Sequence, residues 1–499
     1  MDINKMIERI DRYEATVGAY YHAMGVLGYD AATVAPEKSV TRRGQTLEVL
    51  SGVVFDMSTD PELILTLNSL WENRDQLSSE TVRRVELLKK SSDKISKIPK
   101  DEYIAYESLV NTAQEVWHRA KPANDFEMFA PCLEKLVESS IRIYGYTDPD
   151  KDPYNAALDE YEKGLDSAKL DEFFGKLRSE LVPLIKKISA STPPREDFLF
   201  GDYPVELQRK FSDRLMSALA IDRSRCIIGE TLHPFTENFG RDDVRITTNY
   251  DPQSLASSMY SVIHEGGHAL YELGSGEDLE GTVLAGGAAM SIHESQSRLY
   301  ENMIGRSREF CEYILPQAKE IFPERLKGID GETFWKGVNL SRPSLIRTEA
   351  DELTYSFHVM VRYDIERLLF SGRVNVSELP RIWAEKMWDY LGVEVPDDRQ
   401  GVLQDSHWSG GAFGYFPSYA LGSAYAAQIY ATAQKEIDIP SLVASGNISR
   451  INQWLEERLW RFGRMYDPWQ LLEKCCGSEF DPSFYTDYLK NKFSKIYSL

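Results

Sequence analysis

Apolar residues recur at intervals of three and four positions along most of this chain of 499 residues. That spacing places them on one face of an α-helix, so the chain is predicted to be mainly α. Two segments, 101–119 and 170–189, show the stripe most clearly. Its members are Tyr106, Leu109, Val110, Ala113, Val116 and Trp117 in the first segment, and Phe173, Phe174, Leu177, Leu181, Leu184, Ile185 and Ile188 in the second. Further helices are predicted for 80–97, 349–370 and 451–462.

Strand signals are sparse, and the best of them lies in 243–248. Apolar Val244 and Ile246 alternate there with Arg245 and Thr247, as in a half-buried strand. The apolar, glycine-rich stretch 281–289 is predicted to be a packed loop or a short strand. We therefore expect one small β-sheet in a helical protein.

Because 499 residues exceed what one core usually organises, two helical lobes are expected within a single unit spanning 1–499.

The overall charge argues against several classes of partner. Fifty-seven basic residues against 78 acidic ones leave a formal charge of −21, which repels nucleic acid and anionic membranes. No segment has the run of about 18 apolar residues that a membrane span requires. The five cysteines form no C-x-x-C pair, and the first residues lack a signal-peptide cleavage site. These features predict a reduced, cytoplasmic location without nucleic-acid or membrane partners.

The segment that carries chemistry is His264-Glu265-Gly266-Gly267-His268. Residues four apart lie on one face of a helix, so the two imidazoles can bind one metal ion. Glu265 can reach a metal-bound water without binding the metal itself. A zinc ion lowers the pKa of that water, and the carboxylate completes its deprotonation. The pattern therefore predicts a zinc-dependent hydrolase with Glu265 as general base.

The alternative is a pair of surface histidines on an ordinary helix. Gly266 and Gly267 argue against it, because two glycines inside a helix cost about 2 kcal/mol relative to alanine. A helix that only supports the fold has little reason to contain both. We expect a substrate or a second element to approach the helix closely at this point.

An open tetrahedral site needs a third protein ligand, and the segment after position 290 offers two candidates. His293 and Glu294 are neighbours there, and adjacent residues on a helix point about 100° apart, so only one can face the ion. The residues alone leave both candidates open.

These motifs resemble the thermostable, Taq-type family of zinc carboxypeptidases. The resemblance is carried by six segments in family order, and 27–30 (LGYD) and 413–417 (FGYFP) also look familial, so it covers nearly the whole sequence. The six are 233–235 (HPF), 243–247 (DVRIT), 264–268 (HEGGH), 293–296 (HESQ), 346–351 (IRTEAD) and 401–408 (GVLQDSHW).

The resemblance implies a helical fold in which two lobes flank a deep groove, with the small sheet near the metal. It implies one Zn²⁺ per chain, for which Co²⁺ can substitute, and a homodimer. The implied reaction releases single amino acids from the C-termini of peptide substrates with broad specificity. It selects Glu294 as the third metal ligand and leaves His293 for a supporting or substrate-facing role. The metal and substrate site is expected within about 231–420.

The terminal carboxylate of a peptide is best bound by an arginine, through a bidentate, charge-assisted pair. Arg347 is the first candidate and Arg245 the second. The alternative for each is an intramolecular ion pair, notably between Asp243 and Arg245. His233 is predicted to face the substrate, with a structural turn as the alternative.

Negative charge develops on the peptide oxygen when water attacks, and nearby donors stabilise it. His407 suits this task, with Tyr415 or Tyr419 as a phenolic partner, although these tyrosines could equally be packing residues. Gln404 and Asp405 are expected to orient their neighbours rather than to react.

Two other functions remain open. An oligopeptidase could use the same site to cut peptides internally or to remove dipeptides. A helical binding protein could hold the metal for structural reasons only.

Overall fold

The computed structural model describes residues 2–499, apart from the side chain of residue 95. Helix accounts for 68% of the structure, accompanied by one three-stranded sheet, which confirms the predicted fold class. Within the described residues the α-helices are α1 (Ile3–Thr33), α2 (Val40–Ser58), α3 (Pro61–Glu72), α4 (Ser79–Lys97), α5 (Lys100–Ala123), α6 (Phe126–Thr147), α7 (Pro153–Tyr161), α8 (Ser167–Ser189), α9 (Val205–Ala218), α10 (Leu255–Leu273), α11 (Met290–Arg298), α12 (Arg308–Ile321), α13 (Gly331–Val338), α14 (Tyr355–Phe370), α15 (Leu379–Leu391), α16 (Pro417–Ala433), α17 (Ile439–Ala444), α18 (Ser449–Arg458), α19 (Pro468–Cys476) and α20 (Ser483–Tyr497). The strands are β1 (Cys226–Glu230), β2 (Thr236–Asn238) and β3 (Val244–Thr248), and Leu299–Gly305 forms a π-helical segment after α11.

The predicted helices at 80–97, 101–119 and 170–189 agree with α4, α5 and α8 to within a few residues. The helix predicted for 349–370 was wrong at its start, because α14 begins only at Tyr355. Asp351 explains the difference, since its carboxylate accepts hydrogen bonds from the backbone N–H groups of Leu353 and Thr354. Such side-chain bonds compete with the helix and favour a turn.

The small sheet packs against α10. β3 is its central strand, parallel to β1 and antiparallel to β2, and Val244 and Ile246 are fully buried as their alternation predicted. Thr236, the first residue of β2, donates from its hydroxyl to the Glu265 carboxylate at 2.7 Å. The sheet therefore positions the acidic side chain of the HEGGH segment.

Most buried side chains belong to one large core, and a smaller one lies at the N-terminal end of the chain. The smaller core consists of Met6, Ile10, Leu63, Leu67, Leu70 and Val85. It meets the rest of the protein where the Glu14 carboxylate accepts from the backbone N–H of Val283 at 2.9 Å. Two separate cores are compatible with two lobes, but the division of 1–499 into lobes stays a prediction.

Within residues 2–499, no helix combines the length and hydrophobicity needed to cross a bilayer. All five cysteines are free thiols.

Helix α11 is held between α10 and α16, with a glycine at each contact. A Cβ atom at Gly267 of α10 would lie 2.7 Å from the carbonyl oxygen of Gln296 and 2.8 Å from Cα of Ser297. A Cβ atom at Gly422 of α16 would lie 2.6 Å from Cβ of Glu294. The close approach predicted for the HEGGH helix is therefore made by a second helix, and it brings Glu294 next to the two histidines.

Replacing Gly267 by alanine should separate α10 from α11, because the new methyl group would meet backbone atoms that cannot rotate away. We expect Gly267→Ala to lower the free energy of unfolding by about 1–3 kcal/mol, as overpacking does. Gly175 of α8 has open space around its Cα, so Gly175→Ala should be neutral or stabilise by up to about 1 kcal/mol. Urea denaturation of both variants measures the difference, and an equal gain in stability would contradict the packing argument.

Candidate active site

His264 and His268 on α10 and Glu294 on α11 bring their ligand atoms within 4.8 Å of one another. Nε2 of His268 lies 3.7 Å from Oε2 of Glu294, and Nε2 of His264 lies 3.9 Å from the same oxygen. Tetrahedral zinc with bonds of about 2.0–2.1 Å would place its ligand atoms about 3.4 Å apart. Each imidazole nitrogen therefore lies within about half an ångström of the separation from Glu294 that such an ion would require.

The imidazole of His264 is oriented by a buried carboxylate. Its Nδ1 lies 2.9 Å from Oε2 of Glu301, a residue of the π-helical segment. A proton on Nδ1 satisfies that hydrogen bond and leaves the Nε2 lone pair for a metal. Burial alone would lower the pKa of His264, but Glu301 and Glu294 outweigh it and raise the pKa. The surrounding carboxylates thus favour a positive charge on this side of the ring.

The imidazole of His268 is oriented through a second histidine. Its Nδ1 lies 2.6 Å from Nδ1 of His293, whose Nε2 lies 2.6 Å from Oε1 of Glu272. One assignment of protons satisfies the series: Nδ1 of His268 donates to His293, and Nε2 of His293 donates to Glu272. Burial, reinforced by the neighbouring His293, lowers the pKa of His268 well below its usual value, so its Nε2 keeps a free lone pair. Glu272 therefore supports this imidazole indirectly, through His293.

Glu294 presents one carboxylate oxygen to the two histidines because Arg298 occupies the other. Nε of Arg298 donates to Oε1 at 2.7 Å, and its Nη1 lies 3.3 Å from Oε2 of Glu301. Arg306 donates to the remaining oxygen of Glu301 at 3.1 Å. Two neutral imidazoles and one carboxylate oxygen are a donor set that suits zinc, so the residues present fit the expected ion.

Glu265 is buried beside this cluster, with 7% of its surface exposed. Its Oε2 accepts from the hydroxyl of Thr236 at 2.7 Å. Burial raises the pKa of Glu265 from its ordinary value, and this brings the carboxylate closer to the range in which a general base is effective at neutral pH. The role of Glu265 as general base stays a prediction.

A second buried cluster is built around Asp405. The guanidinium of Arg347 donates to Oδ1 from Nε at 3.1 Å and from Nη2 at 2.9 Å, and Arg362 donates to Oδ2 at 2.9 and 2.6 Å. Nη1 of Arg347 donates to the hydroxyl of Tyr355 at 3.1 Å. Gln404 accepts from the backbone N–H of Arg347 at 3.0 Å. Gln404 and Asp405 thus orient Arg347, in line with the role expected of them.

The Asp405 cluster contacts the metal-binding cluster through one aromatic ring. Cζ of Arg298 lies 4.4 Å from the ring centre of Tyr355, whose hydroxyl binds Arg347. Arg298 in turn holds Glu294. The structure therefore brings the predicted carboxylate anchor and the predicted metal ligands into one connected site.

His407, Tyr415 and Tyr419 lie together at the Asp405 cluster. Nε2 of His407 lies 3.3 Å from the hydroxyl of Tyr419, and the rings of Tyr415 and Tyr419 are 5.2 Å apart. Burial lowers the pKa of His407 to about 4, so the imidazole is neutral at pH 7. A neutral imidazole carries one N–H and can donate it to a developing oxyanion.

Arg245 and His233 lie apart from these contacts. Arg245 donates to both oxygens of Asp243 at 2.8 and 2.7 Å and stacks on Phe239 and Tyr29 at 4.5 and 5.2 Å, so the ion pair considered as its alternative role is present. His233 is exposed in the loop between β1 and β2. Their contacts with substrate stay predictions.

Comparison with known proteins identifies the family. A sequence model of the family described as carboxypeptidase Taq (M32) metallopeptidase matches residues 9–493. The chain belongs to this family. It is 38% identical to Carboxypeptidase 1 of Bacillus subtilis (strain 168) over 485 residues, 97% of each chain, and 34% identical to Thermostable carboxypeptidase 1 of Pyrococcus furiosus over 497 residues, 98% of this chain and 99% of that one. The crystal structure of the M32 carboxypeptidase from Deinococcus radiodurans R1 superposes with a TM-score of 0.96 at 33% identity, covering 99% of this chain and 100% of that one.

Membership makes this protein a metallocarboxypeptidase of the M32 family, so a metal cofactor is expected at His264, His268 and Glu294. Sequence reasoning did not assign two partly buried residues that shape this site. Arg298 lies four residues after Glu294, a helical spacing that could have suggested their ion pair. Glu301 gave no such signal, because it meets His264 across 37 positions of sequence.

Glu301→Gln should weaken metal binding without removing a ligand. The amide is a poorer acceptor for the Nδ1 proton of His264, and losing such a support typically lowers metal affinity by roughly 10- to 100-fold. Competition with a fluorescent zinc chelator on folded protein measures the change. Glu48→Gln, an exposed change on α2, is the matched control and should leave the affinity unaltered. Wild-type affinity in Glu301→Gln would contradict the orienting role.

Proposed function

We propose that this M32 metallopeptidase is a zinc-dependent carboxypeptidase that hydrolyses the C-terminal peptide bond of peptides and releases single amino acids with broad specificity. His264, His268 and Glu294 hold the ion, and Glu265 is the general base. Arg347 binds the terminal carboxylate of the substrate.

The observation that carries the proposal is an unmatched positive charge next to the metal-binding cluster. Arg347 and Arg362 share the single carboxylate of Asp405. Burial lowers the pKa of His407 to about 4, and that of Tyr419 is raised well above its usual value, so both are neutral at pH 7. The cluster retains about one positive charge in a region shielded from solvent, where an anion is strongly favoured.

Arg347 is the member of that cluster suited to contact the anion. Arg362 is fully buried and packs on the ring of Trp383 at 4.3 Å, whereas Arg347 retains 6% exposure beside the ring of Tyr419 at 4.9 Å. Arg347 donates one N–H each from Nε and Nη2 to Asp405 and one from Nη1 to Tyr355, so two of its five N–H groups are left for a ligand. The ring of Tyr355 connects Arg347 to Arg298 of the metal-binding cluster, so a peptide whose carboxylate binds Arg347 would lie beside that cluster.

A zinc ion bound to this donor set would supply a Lewis acid for the peptide carbonyl and lower the pKa of a water molecule. Glu265 holds the proton taken from that water. Its hydrogen bond to Thr236 keeps Oε2 in place and leaves Oε1 for the transfer. The same carboxylic acid then delivers the proton to the nitrogen of the departing amino acid.

We assign the stabilisation of the oxyanion to His407. Its neutral ring stacks on Phe416 at 4.4 Å and lies beside the hydroxyl of Tyr419. Of the two tyrosines, Tyr419 is favoured as the partner because it has the contact with Nε2, while Tyr415 packs edge-on against Tyr161 at 5.0 Å. The exposed His233, Arg245, the homodimer and the cytoplasmic location stay predictions.

Replacing Glu265 should affect the rate of hydrolysis, whereas replacing Glu294 should affect metal binding. Glu265→Gln should retain one zinc per chain and lower kcat by roughly 10²- to 10⁴-fold, because only the general base is lost. Glu294→Gln should lower zinc affinity, because a ligand is lost. Elemental analysis together with single-turnover kinetics separates the two effects. A metal-free Glu265→Gln alongside a fully loaded Glu294→Gln would reverse the assignment, and active wild-type protein without a transition metal would remove the zinc proposal.

Amidating the C-terminus of a peptide should lower kcat/KM about as much as replacing Arg347 by alanine does. A charge-assisted hydrogen bond contributes about 1.5–3 kcal/mol, so wild-type kcat/KM should fall by roughly 10- to 100-fold on the amidated peptide. Arg347→Ala should impose a similar loss on free-acid peptides and a much smaller one on amides, since the partner is already absent. Mass spectrometry of the products follows both reactions.

Arg245→Ala is the matched control, because Arg245 already pairs with Asp243. It should change kcat/KM by the same factor on free-acid and amidated peptides. If Arg347→Ala instead gives equal factors and Arg245→Ala gives unequal ones, the anchoring role belongs to Arg245. Cleavage at internal peptide bonds, at a rate that amidation does not change, would favour the alternative of an oligopeptidase.

A further inference from the structure

Glu366 of α14 is a fully buried carboxylate whose hydrogen bonds all go to neutral donors. Its Oε1 accepts from Nε1 of Trp408 at 2.8 Å. Its Oε2 accepts from the backbone N–H of Gly414 at 2.9 Å and from the hydroxyl of Tyr154 at 2.9 Å. Three segments that are distant in sequence, in α7, α14 and the loop before α16, therefore meet at one side chain.

Two of these donors adjoin residues of the proposed active site. Trp408 follows His407, and Gly414 precedes Tyr415. The carboxylate thus holds the loop 405–416 at two points, one next to His407 and the other next to Tyr415, whose ring lies 5.4 Å from that of His407.

The backbone at Gly414 reinforces this attachment. Its φ is +81°, a conformation that favours glycine, and a Cβ atom would lie 2.7 Å from the carbonyl carbon of Ala157 in α7. The loop therefore lies directly on α7, whose Tyr154 donates the third hydrogen bond. A small displacement of Glu366 would be transmitted to the loop rather than absorbed by a gap.

An ionised carboxylate accepts all three hydrogen bonds, whereas an amide would place its N–H₂ group against one of the donors. Burying such a charge is unfavourable, and burial raises the pKa of Glu366 to about 7 even though its three hydrogen bonds and Arg362 oppose the shift. Apolar packing would fill this position at less cost if only stability mattered.

We propose that Glu366 is a positioning residue for catalysis, which sets the location of His407 and Tyr415 through its hydrogen bonds to Trp408 and Gly414. This role rests on the proposed function, since it requires that His407 acts on the reacting peptide. Glu366 itself lies too deep to touch substrate.

The test is Glu366→Gln in the full-length, zinc-loaded enzyme. A carbonyl oxygen can accept from both Gly414 and Tyr154, so the amide N–H₂ will face Nε1–H of Trp408. We expect kcat on a free-acid peptide to fall by roughly 10- to 100-fold with little change in KM, because a misplaced catalytic side chain weakens transition-state contacts selectively. Zinc content should remain at one per chain.

Two further variants separate positioning from mere support of the fold. Trp408→Phe removes the donor next to His407 and should also lower kcat. The kcat of the double variant Glu366→Gln/Trp408→Phe should be no lower than that of Glu366→Gln alone. Tyr154→Phe is the matched control, because it removes a donor to the same carboxylate from α7 rather than from the loop. It should lower Tm while leaving kcat unchanged.

Equal losses of kcat in Tyr154→Phe and Glu366→Gln would overturn the proposal, as would a wild-type kcat in Glu366→Gln. If Glu366→Gln does not fold, the same comparison of kcat is made between Trp408→Phe and Tyr154→Phe.

His407→Ala distinguishes the proposed role of His407 from the proposed positioning role of Glu366. A wild-type kcat in His407→Ala removes the proposed role of His407, whereas a low kcat there with a wild-type kcat in Glu366→Gln removes the positioning role alone.

Discussion

Helices α10 and α11 touch backbone to backbone at Gly267, and the metal-binding cluster depends on that contact. His264 and His268 come from one helix and Glu294 from the other, so their separation follows from how closely the two axes approach. Any Cβ atom at Gly267 would meet Gln296 and Ser297 and push Glu294 away from the imidazoles. Gly422 closes the opposite side of α11, which leaves the carboxylate little freedom to move.

Charge is distributed unevenly around this packing. In the metal-binding cluster Arg298 and Arg306 compensate Glu294 and Glu301, while the buried Glu265 and Glu272 form no ion pair with an arginine or lysine among the described residues, so that region favours a cation. In the neighbouring cluster two arginines share Asp405, and a positive charge remains. A site that must hold a metal ion and, a short distance away, a terminal carboxylate requires this asymmetry. The ring of Tyr355 separates the two regions while contacting both.

Local patterns accounted for much of the fold. Periodic apolar stripes predicted α4, α5 and α8 because each of these helices buries one face, and alternation at Val244 and Ile246 predicted β3. The start of α14 was missed, since the carboxylate of Asp351 competes for the N–H groups that would have begun the helix there. The meeting of Glu366 with Trp408, Gly414 and Tyr154 had no local pattern from which to be predicted, because the partners lie far apart in the chain.

By itself, the sequence determined the helical class, the two imidazoles on one helical face and the adjacent acidic residue, because spacing within one helix follows from its geometry. The low helix propensity of Gly266 and Gly267 also indicated that a substrate or a second element approaches the helix closely at this point. Only the tertiary structure decided which element approaches these glycines and how Glu301 and His293 orient the imidazoles. It also decided that Arg347 and Arg362 share Asp405, while Arg245 pairs with Asp243. Apart from the local pair of Arg245 and Asp243, these contacts join residues tens of positions apart, and their distances depend on how helices pack against one another rather than on the sequence of any one helix.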